Sequence, residues 1–144
     1  MRGWLIGRCE RYHAKNERPD TNKHHLRELG EFAPILRFVV VEHSKTRPKR
    51  LAREASLARL ALWVASNGVS RWVLEHDAPA EQSDRRILSE FQRANPEADF
   101  EYLHLAASVE PLLWASDLIA WSLNRGGDHA LIARTLVSVA IRAG

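Results

Sequence analysis

Three short apolar runs alternate along the chain with longer segments of helical periodicity, and this alternation restricts the fold more than any other feature. The runs occupy residues 35–41, 70–75 and 100–105. The first is rich in β-branched residues, as are strands that are buried on both faces. Strand–helix order of this kind predicts an α/β fold with a mainly parallel sheet covered by helices, in a single domain over residues 1–144.

Local signals predict where the helices begin and end. Helices are predicted over residues 19–30, 48–67, 81–94, 109–125 and 128–141. Leu26 and Leu29 face inward in the first of these helices. Ser108 is the predicted N-cap of the fourth helix, and the glycine pair at residues 126–127 ends it. A very short strand is predicted at residues 4–6.

The composition excludes several classes of protein. A single cysteine, Cys9, leaves no disulfide framework and no multi-cysteine zinc or redox motif. No apolar run approaches the roughly 20 residues that span a bilayer, and the first residues are charged too early for a secretory signal. The seven histidines show no metal-ligand spacing. We therefore predict a cytoplasmic protein with no membrane partner.

A basic cluster surrounds Pro48. Its five cations, within nine positions, are Lys45, Arg47, Lys49, Arg50 and Arg53. Such a cluster can contact phosphates and release counterions, so RNA or DNA is a candidate partner. The alternative is a solvated helix start, because most basic clusters are solvent-exposed surface with no ligand. Cations are mildly unfavourable at the positive end of a helix, and this placement favours a binding role.

Two acidic residues follow the second predicted strand. Parallel sheets bind ligands beyond the carboxyl ends of their strands. Glu75 lies at such an end, with His76 and Asp77 directly after it. Asp84 is predicted in the first turn of the next helix, where an acidic side chain also stabilises the helix dipole.

Asp117 is a carboxylate on an apolar helix face. Its neighbours at i−4, i−3, i+3 and i+4 are Leu113, Trp114, Ala120 and Trp121. Burying an unpaired charge there would cost several kcal/mol, so Asp117 is predicted to be paired, protonated or bound to a cation. An ion pair with an arginine is the structural alternative to a functional role.

Glu75, Asp84 and Asp117 form the candidate catalytic set. Carboxylates from a strand end and a helix face suit Mg²⁺ or Mn²⁺ better than zinc, with Glu75 and Asp117 as the metal ligands. Such a cation can activate water and neutralise charge on a phosphodiester. The set predicts a metal-dependent nuclease in which Asp84 is a further ligand or orients the water.

Several segments resemble a known family. Residues 110–121, together with residues 73–75 and 84–88, resemble a bacterial domain-of-unknown-function family with a ribonuclease-H-like fold, whose last helix contains approximately Leu-Leu-x-x-Ala-Asp-Leu-Ile-Ala. Residues 12–15 are similar to the His-containing segment of that family. The resemblance covers residues 10–125, and it implies the ribonuclease-H-like fold and a metal-binding acidic site.

The chain departs from the family pattern at its start, where no Asp-Glu-Ser segment is present. Either the chain begins after the first strand of the family, as a truncated or degenerate member, or Glu10 or Glu42 replaces the first-strand aspartate. Glu42 is the better placed of the two, because it ends a predicted strand. A missing edge hairpin would expose a strand edge and favour pairing with a second copy.

Two functions therefore remain open from the sequence. One is a nuclease that hydrolyses RNA or DNA phosphodiesters, and the other is a catalytically degenerate scaffold that binds a protein or a nucleic acid. A Rossmann-like nucleotide module ranks last, because no glycine-rich loop follows a predicted strand.

Overall fold

The computed structural model describes residues 14–32, 38–43, 46 and 48–143. This part of the chain contains five α-helices and four short strands, so the mixed α/β class is confirmed. The described strands form two separate pairs and not one larger sheet. None of the helices described combines the length and the apolar composition that crossing a bilayer requires.

The elements follow one another from a 3₁₀ turn onward. In chain order they are Ala14–Asn16 (3₁₀), α1 (Pro19–Glu31), β1 (Phe38–Glu42), α2 (Lys49–Ser66), β2 (Arg71–Glu75), α3 (Ala78–Ala94), β3 (Glu101–Leu105), α4 (Pro111–Arg125), α5 (Gly127–Leu136) and β4 (Val137–Arg142). The chain groups into two compact units. Unit 1 comprises residues 1–40 and 106–139, and unit 2 comprises residues 41–105 and 140–144. β1 pairs with β4, and the unit boundaries fall within these two strands.

Unit 1 is a helical cluster built from α1, α4 and α5. Leu26 and Leu29 of α1 are almost fully buried, as predicted, and they pack with Trp114 and Leu118 of α4. Burial of side chains of this size contributes about 1.5–3 kcal/mol each. The Trp114 indole N–H donates a hydrogen bond to the Ala107 carbonyl, so the polar atom of this core residue is satisfied.

Unit 2 contains a β–α–β crossover. β2 and β3 are parallel and pair in a register that places Glu75 opposite Leu105, with α3 as the connection. The parallel pairing expected from the sequence is confirmed for these strands. Their alternate side chains pack on the helices, and the cluster comprises Leu57, Ala61, Leu88, Trp72, Leu74, Ile87, Phe91 and Tyr102. The carboxyl ends of both strands therefore lie at the same edge.

The last predicted helix is wrong over its second half. α5 ends at Leu136, and the following residues form β4, in which burial alternates residue by residue. Val137, Val139 and Ile141 are β-branched and recur with a period of two, which suits a strand better than a helix. The predicted N-cap Ser108 is also wrong. The N-cap of α4 is Glu110, whose Oε1 accepts the backbone N–H of Leu112 at 3.2 Å.

Other predicted boundaries agree with the structure. α2 ends directly before Asn67 and α4 directly before Gly126, as the turn-forming residues indicate. The predicted strand at residues 4–6 and the segment 35–37 lie outside the described residues.

Candidate anion-binding site

Asp84 is the buried acidic residue of unit 2. It is 1% exposed and lies on the same face of α3 as Leu88, which follows one turn later and is fully buried. Because α3 begins at Ala78 and not at residue 81, Asp84 lies in the second turn. The prediction that places it in the first turn is therefore wrong, and the effect of the helix dipole fades beyond that turn.

Arg53 of α2 pairs with this carboxylate through two hydrogen bonds. Its Nε donates to Asp84 Oδ1 at 3.0 Å and its Nη2 donates to Oδ2 at 2.7 Å. The side chain of Asp84 is 2% exposed, whereas that of Arg53 is 42% exposed. A planar guanidinium is suited to this two-point contact, which fixes its orientation. Asp84 thus binds one edge of the Arg53 guanidinium, its inner edge, which consists of Nε and Nη2. The rest of the guanidinium reaches solvent.

His104 of β3 supports the same carboxylate from the sheet. Its Nε2 lies 3.1 Å from Asp84 Oδ2, and its side chain is buried. An ionised carboxylate only accepts hydrogen bonds, so this contact assigns the proton to Nε2. His104 Nδ1 faces Glu81 Oε1 at 3.9 Å, too far for a hydrogen bond. Glu81 in turn binds Arg85 at 2.7 Å.

The electrostatics of the pair follow from these contacts. Burial is the largest single influence on Asp84 and favours its neutral form, but the hydrogen bonds and charges of Arg53 and His104 outweigh it and lower the pKa of Asp84. The hydrogen bond to Asp84 raises the pKa of Arg53, and the negative charges of Asp77 and Glu75 act in the same direction. Arg53 therefore lies in the field of three carboxylates.

An open pocket of about 790 Å³ lies between the N-terminal halves of α2 and α3. Four of its lining residues are cations, namely Lys49, Arg50, Arg53 and Arg86. Two are carboxylates, Glu54 and Asp77, so positive groups outnumber negative ones by two to one. The described lining therefore has an excess of positive groups, which favours the approach of an anion.

Glu54 organises part of the wall of this pocket. Its Oε1 lies 3.3 Å from Arg50 Nε and 3.5 Å from Arg86 Nη2, and it accepts the Ser83 hydroxyl at 2.9 Å. The Ser83 hydrogen bond, followed by those contacts to arginine, lowers the pKa of Glu54 against the opposing effect of burial. Lys49 has no ion-pair partner in the part of the chain that the structure describes.

The predicted basic cluster is only partly described. Lys49, Arg50 and Arg53 line the pocket, whereas Lys45 and Arg47 lie outside the described residues. Among the predicted acidic residues, Glu75 lies half-buried at the end of β2, and its charge acts on Arg53 together with that of Asp84. These residues belong to unit 2.

Asp117 belongs to unit 1. It is half-buried in α4, and its Oδ2 accepts the backbone N–H of Ala14 at 2.9 Å. A backbone donor, which the sequence argument did not consider, thus stabilises this carboxylate. Within the described residues, no group of three or more His, Cys, Asp or Glu side chains is arranged to hold a metal ion.

Sequence reasoning missed three residues of this site, namely Glu54, Arg86 and His104. A usable signal exists for His104, because it alternates with Tyr102 in β3 and therefore faces the helices with it. Arg86 and Glu54 lie on different helices, and only the packing of α2 on α3 brings them together. No known protein family, curated protein or solved structure matches this chain.

Proposed function

We propose that this protein binds RNA or DNA through phosphate groups, using the pocket between α2 and α3. The observation that supports this function is the convergence of Lys49, Arg50, Arg53 and Arg86 on one open pocket. Cations placed together in a concave surface attract a polyanion and release its counterions on binding. The protein then acts as a binding scaffold, which is the catalytically degenerate alternative that the sequence left open.

The placement of the cations supports a ligand and not only a solvated helix start. The first turn of α2 contains no acidic residue, and its N-cap, Pro48, makes no side-chain hydrogen bond. Lys49 and Arg50 therefore lie at the positive end of a helix dipole, where their charges are unfavourable. A bound phosphate would neutralise the side-chain charges and accept hydrogen bonds from the unpaired N–H groups at this helix end.

A metal-dependent nuclease with a ribonuclease-H-like fold is the second candidate. It would use Glu75, Asp84 and Asp117 with Mg²⁺ or Mn²⁺. The observation that favours it is the grouping of Glu75, Asp77 and Asp84 around Arg53, near the carboxyl end of β2. We rank it second because both oxygens of Asp84 already accept hydrogen bonds from Arg53, and His104 contacts one of them as well.

The binding proposal is tested by fluorescence anisotropy with a labelled single-stranded oligonucleotide over a range of salt concentrations. We expect Arg50→Gln to weaken binding and to reduce the slope of log K against log salt by about 0.7, the value for one lost phosphate contact on a single strand. Arg59→Gln is the matched control. It removes the same charge from an exposed position nine residues along α2, which is the opposite face of the helix. Equal losses in both variants would contradict a specific site.

The nuclease candidate is tested on the same protein. Calorimetric titration with millimolar Mn²⁺, on the wild type and on Asp117→Asn, measures metal binding directly. Oligonucleotide cleavage that depends on Mn²⁺ and is lost in Asp117→Asn would favour the nuclease over the binding scaffold. Salt-dependent binding without cleavage supports the scaffold.

A further inference from the structure

We infer that the pocket recognises a terminal phosphate monoester, at an end of a nucleic-acid strand, in preference to the internal phosphodiesters. This inference rests on the proposed function and specifies the chemical group that enters the pocket. It follows from the unused edge of Arg53, from the local excess of positive charge and from the two helix ends that meet there.

Arg53 presents an ordered edge to the pocket. Asp84 uses Nε and one hydrogen of Nη2, so Nη1 and the second Nη2 hydrogen have no acceptor on Asp84. Because the inner edge is held at two points, little side-chain entropy is lost when the outer edge binds an anion. A guanidinium edge of this kind matches two oxygens of one phosphate. A monoester offers three terminal oxygens, one more than an internal diester.

The charge around the pocket favours the more highly charged anion. Lys49, Arg50 and Arg86 join Arg53 in the described lining, whose carboxylates are Glu54 and Asp77, and Asp84 pairs with the inner edge of Arg53. The four cations still outnumber these three carboxylates. A phosphate monoester has a charge of about −1.5 to −2 at pH 7, whereas an internal diester has a single negative charge. The monoester therefore gains more from the same four cations.

Two helix ends contribute to the same place. Lys49 and Arg50 begin α2, and Pro79 and Ala80 lie in the first turn of α3. Neither N-cap makes a side-chain hydrogen bond to its helix. Free backbone N–H groups at the start of α2 therefore add to the attraction of the side chains for an anion. In α3, Pro79 has no N–H and Ala80 donates to the Asp77 carbonyl at 2.9 Å, so this helix contributes mainly through its dipole.

The shape of the pocket fits an end better than a continuous strand. Sites that follow a strand distribute their cations along an extended groove with stacked aromatic side chains. Here the cations converge on one pocket of about 790 Å³, within the size range of small-ligand pockets, and the described residues of its lining include no aromatic side chain. A terminal nucleotide fits such a space, and the rest of the strand would extend into solvent.

The test compares three single-stranded oligonucleotides of one sequence, with a 5′-phosphate, with a 3′-phosphate or with hydroxyl groups at both ends. Competition by inorganic phosphate and by a nucleoside monophosphate is measured in parallel. We expect one of the phosphorylated ends to bind about tenfold more tightly than the hydroxyl-ended strand, the effect of one further charged hydrogen bond. Arg86→Gln should reduce this preference and Arg59→Gln should leave it unchanged.

The outcomes distinguish this inference from the proposed function. Equal affinity for all three strands would overturn the terminal-phosphate inference and leave nucleic-acid binding in place. Binding of the nucleoside monophosphate without binding of any strand would overturn the nucleic-acid function and support the monoester pocket. Absence of binding by every probe would overturn both. Arg86 is half-exposed, so its variant is expected to fold, and circular dichroism verifies this.

Discussion

Replacing Arg53 by methionine would leave the Asp84 carboxylate buried, with His104 as its remaining described partner. Methionine retains most of the apolar stem of arginine, so the change removes the charge and its two hydrogen bonds with little loss of packing. The reverse change, Asp84→Asn, leaves a guanidinium that already reaches solvent. The two variants therefore break the same ion pair from opposite sides.

The expected magnitudes follow from the exposure of each partner. Breaking a fully buried pair costs about 3–5 kcal/mol, whereas an exposed pair contributes about 0–1 kcal/mol. Asp84 is 2% exposed and Arg53 is 42% exposed, so this pair lies between the two cases. We expect Arg53→Met to lower the free energy of unfolding by about 2–3 kcal/mol, because a buried charge is left behind. Asp84→Asn should cost only about 1 kcal/mol, because water can hydrate the released guanidinium.

The pH dependence gives a second and independent check. The pKa of Asp84 is lowered in the folded protein, so its contribution to stability is complete above the ordinary carboxyl pKa of about 4 and is lost as the pH falls through the folded value. In Arg53→Met, burial would raise the pKa of Asp84, and protonation would relieve the buried charge on acidification. The cost of the substitution should therefore be largest near pH 7. It should begin to shrink as the pH falls through the raised pKa of Asp84 in the variant, above about pH 4, and continue to shrink down to the lowered pKa of Asp84 in the wild type.

Urea unfolding followed by far-ultraviolet circular dichroism measures these differences. With an m-value of about 2 kcal/mol/M, the loss in Arg53→Met corresponds to a decrease of about 1–1.5 M in the midpoint. Arg59→Met is the matched control on the same helix, and an exposed substitution of this kind should stay within about 0.5 kcal/mol of the wild type. A larger cost for Asp84→Asn than for Arg53→Met would refute the reasoning, as would a cost that does not change with pH.

Two further substitutions test unit 1. Asp117→Ala removes the acceptor of the buried Ala14 amide, so we expect a loss of about 1–3 kcal/mol and faster hydrogen exchange of that amide, with a smaller effect for Asp117→Asn, which keeps an acceptor. Gly126→Ala should cost about 1–3 kcal/mol in thermal unfolding, because Gly126 has φ 78° and ψ −165°, a region open essentially to glycine alone. Gly30→Ala is its control, since the added Cβ in α1 meets Leu136 at an ordinary 3.7 Å, and a destabilisation equal to that of Gly126→Ala would contradict the backbone argument.

The parts of the fold that were predictable are those with a strong local signal. Pro19 begins α1, Gly126 ends α4, and the apolar run before Glu75 forms β2, because caps and hydrophobic periodicity act over a few residues. β4 was missed since its residues continue the pattern of the preceding helix for one further turn. Its alternating β-branched residues favour a strand over a helix only when β1 is present to pair with them.

The site was predictable only where a charged residue has apolar neighbours on its own helix face. Asp84, like Asp117, is a carboxylate on an apolar helix face, with Ile87 and Leu88 at i+3 and i+4. These neighbours indicate that Asp84, too, needs a partner. The identity of that partner was not predictable, because Arg53 precedes Asp84 by 31 positions and contacts it only once α2 packs on α3.

The division of the chain has a consequence for the order in which its parts can form during synthesis. Most of unit 2 is one continuous stretch, residues 41–105, whereas unit 1 is assembled from segments on either side of that stretch. The β2–α3–β3 crossover therefore needs only short loops, and it can form while later residues are still being added. The helices of unit 1 must close a loop that contains nearly all of unit 2. Early compaction of residues 41–105 lowers the entropy cost of that closure, so we expect the nascent chain to begin folding from its middle.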